Sequence, residues 1–366
     1  MAGSSFGNIF RITTWGESHG EALGVVIDGC PAGLSLNAAD IQIYLDRRKP
    51  GQTKISTPRK ESDEIEILSG IFEGHTTGTP ISMMVRNTSQ HSSDYSEIAN
   101  YYRPGHADYT FDAKYGFRDY RGGGRSSGRE TVGRVAAGAV AAKLLHEFGI
   151  DLCAYTKSIG PVSADMNKFD TRSIMSTPTC MPDPEASVRA ESYLADCMRS
   201  CDSAGGVIEC VVKGVPAGLG DPVFEKLDAN LAKAIMSIGA VKAVEIGDGI
   251  ESAMCHGSDN NDVFRMEDGR ITKATNHAGG TLGGISDGSD IILRAYIKPT
   301  PSIFSPQKTV NKQGEDIEIS IKGRHDPVIV PRAVVVVESM AAVAIADALL
   351  MNAGARLDSL KKIYGI

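Results

Sequence analysis

The spacing of hydrophobic and polar positions predicts a chain of mixed helices and strands. Apolar or alternating runs typical of strands occupy residues 23–28, 65–68, 80–86, 207–213, 241–246, 290–297 and 317–322. Helical periodicity occupies residues 38–48, 128–148, 185–202, 222–237 and 332–353. Long loops are expected at 87–127 and 298–316, with an irregular crossover near 161–190.

The helix predicted from Gly128 consists mainly of small residues. They are Gly133, Ala136, Ala137, Gly138, Ala139, Ala141 and Ala142. Small side chains let another backbone approach closely, which suits a buried helix better than a solvated one. We therefore expect this helix inside the core.

Two short patterns recur in the same order along the chain. Residues 26–34 and 211–219 share a strand followed by Gly-x-Pro-Ala-Gly-Leu, and residues 69–81 share their glycine spacing with 279–291. The repetition predicts a duplicated unit with pseudo-twofold symmetry. We expect one domain over residues 1–366 with a pseudo-repeat at about 20–90 and 205–300, although the length alone suggests two domains.

The composition is that of a globular protein that can bury a large core. The chain has 366 residues, 42% of them hydrophobic, and a net charge of −7. The start of the chain has no signal-peptide pattern, and acidic residues interrupt the apolar run 333–351, so we expect a cytoplasmic protein without a membrane partner. Seven cysteines in no zinc spacing predict reduced thiols and no metal site.

Residues 103–134 form a basic island that contains seven Lys or Arg residues. A local island in an acidic protein predicts a small anionic ligand, because a nucleic-acid-binding protein is usually basic over a whole face. Ser127 is expected to cap the following helix, with Glu130 completing a capping box. Backbone N–H groups of the glycine-rich segment could converge on phosphate beside arginine side chains. The residues concerned are Gly122, Gly123, Gly124 and Gly128, with Arg121, Arg125 and Arg129.

This Gly/Arg loop, residues 120–130, matches neither common phosphate-binding fingerprint. Arg129 and Glu130 stand where a P-loop needs Lys and Ser or Thr, and the glycine spacing is not that of a dinucleotide-binding turn. A solvated surface loop remains an alternative at this point.

A second basic cluster, residues 47–60, holds six cations and no acid. It could bind a polyanion, or its first three cations could complement a helix C-terminus.

Three histidines lie in loops beside Gly, Pro or Asp, where an imidazole can reach a ligand and titrate near neutral pH. They are His19, His106 and His325, and Asp326 follows the last of them. A structural histidine is the default for each. A metal site with Glu17 and a nucleophile elbow at residues 16–20 are weaker alternatives for His19.

Seven segments in fixed order resemble the signature segments of chorismate synthase, and they span nearly the whole chain. They are Phe6-Gly7 to Gly16-Glu-Ser-His-Gly20, Asp46-Arg-Arg-Lys-Pro-Gly51, Arg103-Pro-Gly-His-Ala-Asp-Tyr109, Tyr120-Arg-Gly-Gly-Gly-Arg-Ser-Ser127, Gly214-Val-Pro-Ala-Gly-Leu-Gly220, Asn276-His-Ala-Gly-Gly280 and Gly323-Arg-His-Asp-Pro327.

The resemblance implies an α+β fold, a pseudo-twofold body of antiparallel β-sheets sandwiched by helices, assembled as a homotetramer. It also implies a lyase that converts 5-enolpyruvylshikimate 3-phosphate to chorismate and phosphate by 1,4-anti elimination. Reduced FMN is required although the reaction is redox-neutral, and NADPH is a possible reductant. The substrate and FMN are anions, which accounts for both basic clusters.

The resemblance also implies roles for individual residues. His19 would protonate the departing phosphate, His106 would protonate or stabilise the reduced flavin, and Asp326 would help to relay a proton at flavin N5. Arg48 and Lys54 match positions for substrate anions or NADP. The positions that match FMN contacts are Arg125, Ser126, Ser127, Gly239, Ala240, Gly283, Lys298, Pro299, Thr300, Pro301, Ser302 and Arg324.

Two other functions remain open at this point. One is a flavin oxidoreductase that uses NADPH to reduce FMN for another acceptor. The other is a flavin- or phosphate-binding module without catalysis.

Overall fold

Two antiparallel sheets form the outer layers of the molecule. The computed structural model describes residues 3–51, 61–87, 97–321 and 326–366. The first sheet has the strand order β1-β2-β3-β7-β4, with β1 at Ser5–Phe6, β2 at Arg11–Gly16, β3 at Ala22–Asp28, β4 at Ile65–Ile67 and β7 at Ile81–Arg86. The second has the order β9-β8-β10-β16-β11, with β8 at Asp151–Ile159, β9 at Val162–Ser163, β10 at Gly206–Lys213, β11 at Val241–Ile246 and β16 at Ile291–Ile297.

Four two-stranded hairpins accompany these sheets in the described ranges. They are β5 (Ile71–Phe72) with β6 (His75–Thr76), β12 (Phe264–Glu267) with β13 (Arg270–Lys273), β14 (Thr281–Leu282) with β15 (Ile285–Ser286), and β17 (Gln307–Val310) with β18 (Asp316–Ile319). The helices are α1 (Ala38–Arg48), α2 (Asp108–Tyr115), α3 (Thr131–His146), α4 (Thr171–Ser176), α5 (Pro184–Arg199), α6 (Leu227–Met236), α7 (Gly257–Asn260), α8 (Val330–Asn352) and α9 (Leu357–Tyr364).

Helices α3 and α8 are the centre of the core. They pack against each other, with α3 also against β3 of the first sheet and α8 against β8 of the second. They are in close contact at Gly138, where an added Cβ would lie 2.1 Å from the Cβ of Ser339. The small residues of α3 therefore allow the close contact that the sequence predicted, and the expectation of a buried helix is confirmed.

The predicted fold class, α+β with antiparallel sheets, is confirmed, and one detail is reversed. We expected sheets sandwiched by helices, whereas α1, α3, α6 and α8 form the middle layer and the sheets lie outside. The reason is that α3 and α8 are apolar on all sides, so that each must be covered on all sides. The sheets each need burial on only one face.

Each of the seven predicted strands and five predicted helices overlaps an element of the structure. The long strands β2 and β8 were missed, as were most of the short strands and all of the short helices, including α2, which lies within a predicted loop. The predicted crossover at 161–190 contains α4 and the start of α5. All seven cysteines are free thiols, and burial raises the pKa of both Cys30 and Cys180 to about 11.

Helix α8 is the one helix in the described ranges that is long and apolar enough to cross a membrane, and most of it is buried inside the protein. A buried core helix has the same apolar composition as a membrane-spanning helix, because every face of it contacts apolar neighbours.

Helices α3 and α8 begin at the same end of the sandwich, beside the last residue of α1. The side chain of Arg48 donates to the carbonyl of Gly128 just before α3, at 3.5 Å. The carbonyl of Arg48 accepts from Nε of Arg332 in the first turn of α8, at 3.2 Å. Helix α6 ends there as well, because Arg134 of α3 donates to the Ser237 hydroxyl at 2.6 Å. We call this the helix-start end.

Candidate active site

His19 lies at the helix-start end, in the turn between β2 and β3. The amide of Gly20 donates to the carbonyl of Glu17 at 3.1 Å, which closes the turn. The half-buried imidazole has its Nδ1 3.1 Å from the Ser18 hydroxyl. A Cβ added at Gly122 would lie 2.4 Å from the same nitrogen. The imidazole therefore packs directly against the backbone of the Gly/Arg loop.

The glycine-rich part of this loop is folded tightly on itself. Both the amide and the hydroxyl of Ser126 donate to the carbonyl of Gly123, at 2.8 and 2.6 Å. Gly124 has a φ of +51°, in the left-handed region that favours glycine. The loop is thus an ordered wall beside His19, which disfavours the alternative of a solvated surface loop.

Arg125 fixes the start of the His19 turn. Its guanidinium donates to the carbonyl of Gly16 at 3.1 Å, and to the carbonyl and hydroxyl of Thr14 at 3.1 and 2.6 Å. Glu130 lies 3.6 Å away and balances the charge. The side chain is therefore anchored to β2, and its contact with an FMN phosphate stays a prediction.

Ser127 caps a short 3-10 helix that precedes α3, by accepting from the amide of Arg129 at 3.3 Å. The predicted capping box is wrong in its second half. Glu130 turns inward, where its carboxylate accepts from the Thr14 hydroxyl at 2.7 Å and from Arg134 at 2.8 Å. A buried carboxylate needs cationic partners more than the cap needs a second hydrogen bond.

Arg48, Arg129 and Asp63 form a buried ionic cluster beneath the Gly/Arg loop. Arg48 is 2% exposed and lies 2.5 Å from a carboxylate oxygen of Asp63, and Arg129 lies 2.7 Å from the other oxygen. Glu61 also pairs with Arg129. Burial favours the neutral form of Asp63, but the two arginines outweigh it and hold the pKa of this carboxyl below its usual range. Arg48 therefore supports the loop from below.

The other described cations of the second basic cluster are also paired. Arg47 lies 2.6 Å from Glu338 of α8, and Lys49 lies 2.5 Å from Asp46. For residues 47–49 these pairs favour a structural role at the end of α1 over polyanion binding.

His106 contacts the segment that the family resemblance assigns to FMN. Its Nε2 lies 2.8 Å from the Ser302 hydroxyl. The ammonium of Lys298 donates to the carbonyl of Gly105 at 3.0 Å, and a Cβ at Gly105 would lie 2.7 Å from Pro301. The loop of His106 and residues 298–302 are therefore one packed unit.

The turn at Gly239 and Ala240 joins the same unit. The amide of Lys298 donates to the carbonyl of Ala240 at 3.0 Å. Ala240 has a φ of +72°, which is costly for a residue with a Cβ. Strain of this kind is concentrated at functional sites, so this turn fits the predicted cofactor contact.

Thr300 offers a hydrogen-bonding group that the protein does not use. Its hydroxyl is buried and has no hydrogen-bond partner, while its carbonyl accepts from the Ser203 hydroxyl at 2.7 Å. Pro299 packs near Gly205, where an added Cβ would lie 3.1 Å from its Cδ. A buried unsatisfied hydroxyl is costly unless a ligand completes it, which fits a phosphate or flavin contact.

Asp326 is held between the two groups of residues. Its carboxylate lies 2.5 Å from Arg332, whose Nε donates to the carbonyl of Arg48. The following carbonyl, of Pro327, accepts from the amide of Ala204 at 2.8 Å. Ala204 follows Ser203, whose hydroxyl binds the carbonyl of Thr300. A continuous path of contacts therefore runs from His106 through Asp326 to the Arg48 cluster. His19 joins the same path through Asn87, described below.

Gly283 is not brought to these residues within one chain. It lies in the β14–β15 hairpin, whose neighbour Gly280 approaches Ile291 at the start of β16, whereas Lys298 follows the end of that strand. Seven strand residues at a rise of about 3.3 Å separate the two ends by roughly 20 Å. Its contact with FMN stays a prediction. Lys54, Arg324 and His325 lie outside the described residues.

Residues 10–350 match the family model of chorismate synthase. This chain belongs to the chorismate synthase family. The chorismate synthase of Agathobacter rectalis is 67% identical over 364 residues, which cover 100% of this chain and 99% of that protein. The chorismate synthase of Methanosarcina mazei is 56% identical over 96% of this chain and 97% of that protein. A crystal structure of chorismate synthase matches with a TM-score of 0.77 and 33% identity, over 98% of this chain and 97% of that one.

The family resemblance read from the sequence is therefore confirmed, and with it the assignment of the chain as a carbon–oxygen lyase acting on phosphates. Four residues of the site could not be selected from sequence patterns: Asn87, Asp63, Arg332 and Ser203. Each is a single polar residue without a motif, and only the folded contacts connect it with the site.

Proposed function

We propose that the protein eliminates phosphate from 5-enolpyruvylshikimate 3-phosphate to give chorismate, within aromatic amino acid biosynthesis by the shikimate pathway. The observation that carries the proposal is the contact path that joins His106, Asp326 and His19 at the helix-start end. Arginines line this path, and a substrate with one phosphate and two carboxylates needs such cations. Membership of the family supports the same reaction.

We propose that reduced FMN binds at the helix-start end. The unused hydroxyl of Thr300 and the strained turn at Ala240 support this site. When bound, the flavin supplies the electron-rich ring that the elimination requires, without net oxidation. The residues that would hold it are Arg125, Ser126, Ser127, Gly239, Ala240, Gly283 and 298–302, with Arg324 outside the described residues. NADPH is not part of the proposal, because Arg48 is buried and paired.

The side chains divide the proton chemistry between them. His19 would place a proton on the departing phosphate, which lowers the charge that develops as the C–O bond breaks. His106, bonded through Nε2 to Ser302, would hold a proton on the flavin side. Asp326, oriented by Arg332, would take part in proton transfer there.

We further propose that residues 1–366 form one domain built from an internal repeat at about 20–90 and 205–300. The matched strand orders of the two sheets support it, because each strand of one has a counterpart in the other. A homotetramer in the cytoplasm, without nucleic-acid or membrane partners, completes the proposal.

An anaerobic assay with photoreduced FMN and authentic substrate tests the reaction. We expect equal amounts of chorismate and phosphate, no consumption of NADPH and no net flavin oxidation. Turnover with oxidised FMN in air would contradict the proposal. Stoichiometric NADPH oxidation without chorismate would instead identify a flavin oxidoreductase, and binding of FMN without either product would identify a binding module.

A further inference from the structure

Asn87, the first residue after β7, connects the His19 turn with the arginine cluster. Its side-chain amide donates to the carbonyl of Glu17 at 3.0 Å and to the carbonyl of Gly20 at 2.7 Å. Its side-chain oxygen accepts from Nε of Arg129 at 2.5 Å. Every polar group of this half-buried side chain is therefore used.

The two carbonyls that accept from Asn87 lie on either side of His19. Within the turn, the backbone closes through one hydrogen bond between the same two residues, Glu17 and Gly20. The amide of Asn87 also donates to the carbonyl of Glu21 at 2.9 Å. Asn87 thus holds the turn at three carbonyls, and their position determines where the imidazole lies.

The opposite side of Asn87 is fixed to the cations. Arg129 is bound in turn by Asp63 and Glu61, and Asp63 also binds Arg48. The leaving phosphate must meet its proton donor in one fixed place, so the distance from the His19 turn to the cluster that supports the Gly/Arg loop must be constant. One short amide sets that distance.

Few side chains could replace this amide. The position requires two N–H donors toward the turn and one acceptor toward Arg129, all within the reach of a two-carbon side chain. Aspartate lacks the donors, serine has only one, and glutamine is longer by a methylene group. The geometry therefore explains the residue type.

We propose that Asn87 is a positioning residue that holds His19 in register with the arginine cluster for protonation of the leaving phosphate. The inference rests on the proposed function. Asn87 acts through His19 and contacts neither substrate nor flavin in this assignment.

The variants Asn87→Asp and Asn87→Ala test it in the full-length enzyme with reduced FMN. Asn87→Asp keeps the shape and the bond to Arg129, but it replaces the two donors with a carboxylate oxygen that faces the carbonyls of Glu17 and Gly20. We expect turnover to fall by about 100-fold, the scale of a displaced catalytic group. We expect the Kd for FMN and the melting temperature to change little, and His19 to react faster with diethyl pyrocarbonate in the flavin-free protein.

A double-mutant cycle separates positioning from general destabilisation. In a His19→Ala background, Asn87→Asp should lower turnover by less than about threefold, because the imidazole that Asn87 positions is already absent. The matched control is Asn37→Ala, which removes the side-chain cap of α1 at the opposite end of that helix and should leave turnover unchanged.

Two results would overturn the inference alone. One is a rate for Asn87→Asp within about threefold of wild type, and the other is an equal loss in both backgrounds. If the wild-type protein makes no chorismate with reduced FMN, the proposed function itself fails, and the inference with it.

Discussion

Thr76 of the β5–β6 hairpin and Ser286 of the β14–β15 hairpin make the same pair of hydrogen bonds. The Thr76 hydroxyl donates to the carbonyl of Pro31 at 2.6 Å and accepts from the amide of Leu34 at 3.0 Å. The Ser286 hydroxyl donates to the carbonyl of Pro216 at 2.6 Å and accepts from the amide of Leu219 at 2.8 Å. The repeated Gly-x-Pro-Ala-Gly-Leu turns are thus each fastened by one buried hydroxyl.

Loss of either hydroxyl should destabilise the protein. Thr76→Val and Ser286→Ala would each leave a buried amide and a partly buried carbonyl unpaired, at a cost of about 1–3 kcal/mol in the free energy of unfolding. Urea denaturation followed by circular dichroism measures it. Thr77→Val, at the exposed neighbouring position, is the control and should change the free energy by less than about 0.5 kcal/mol. Equal stabilities for Thr76→Val and Thr77→Val would contradict the prediction.

A methyl group at Gly122 should impair catalysis without unfolding the protein. The new Cβ would lie 2.4 Å from Nδ1 of His19, so the imidazole must move. We expect a loss in kcat of about 100-fold, with FMN binding largely retained. Gly128→Ala in the same loop is the control, because no atom lies within 4 Å of its added Cβ. Comparable rates for both variants would show that the contact with His19 does not matter.

Alanine at Gly138 should separate the two central helices. Its Cβ would lie 2.1 Å from Cβ and 2.5 Å from Cα of Ser339, so a rotamer change cannot relieve the clash. Overpacking of this kind costs about 1–3 kcal/mol or more. Gly354→Ala, where nothing lies within 4 Å, should leave the melting temperature almost unchanged. A melting temperature for Gly138→Ala close to that of wild type would mean that α8 can shift freely.

Asp63→Asn should destabilise the protein near neutral pH and have less effect in acid. The variant leaves Arg48 and Arg129 without this carboxylate, at a cost of about 3–5 kcal/mol. The pKa of Asp63 is lowered in the folded state, so its contribution is complete above the unfolded pKa of about 3.9 and is lost as the pH falls through the folded pKa. Asparagine also tolerates the φ of +45° at this position.

Urea titrations of wild type and Asp63→Asn at pH 7, 5 and 3 measure this difference. The gap should be similar at pH 7 and 5 and narrower at pH 3. Asp358→Asn, which removes an exposed partner of Arg356, is the control and should have no measurable effect. A gap that stays constant down to pH 3 would mean that ionisation of Asp63 is not the source of the stabilisation.

The parts of the fold that the sequence predicted are those where local pattern and burial agree. Strand β16 alternates buried and half-buried residues along its whole length, and α1 starts at a capping asparagine. The first half of α3 could be recognised as buried because its small residues let another backbone approach closely, which a solvated helix does not need. Strand β2 was missed because its polar residues, including two threonines, face partners that only the fold supplies.

The site was predictable where residues form segments and not where they act singly. The loops of His19, His106 and Asp326 were selected from their sequence, but their connection depends on contacts between residues more than 60 positions apart, as for Asn87 and Gly20. The same limit explains why the sequence could not show that Arg48 is buried in an ion pair. Its neighbours in sequence are cations, whereas its partner in space is a buried carboxylate.

Because α3 and α8 begin at the same end, the electrostatic potential of this acidic protein is more positive at that end. A net charge of −7 repels anions at long range, but the two helix dipoles point their positive ends toward the same loops, where arginines already gather. A substrate with three anionic groups is therefore guided to one end of the molecule and turned as it approaches. The two central helices thus add their fields at the helix-start end.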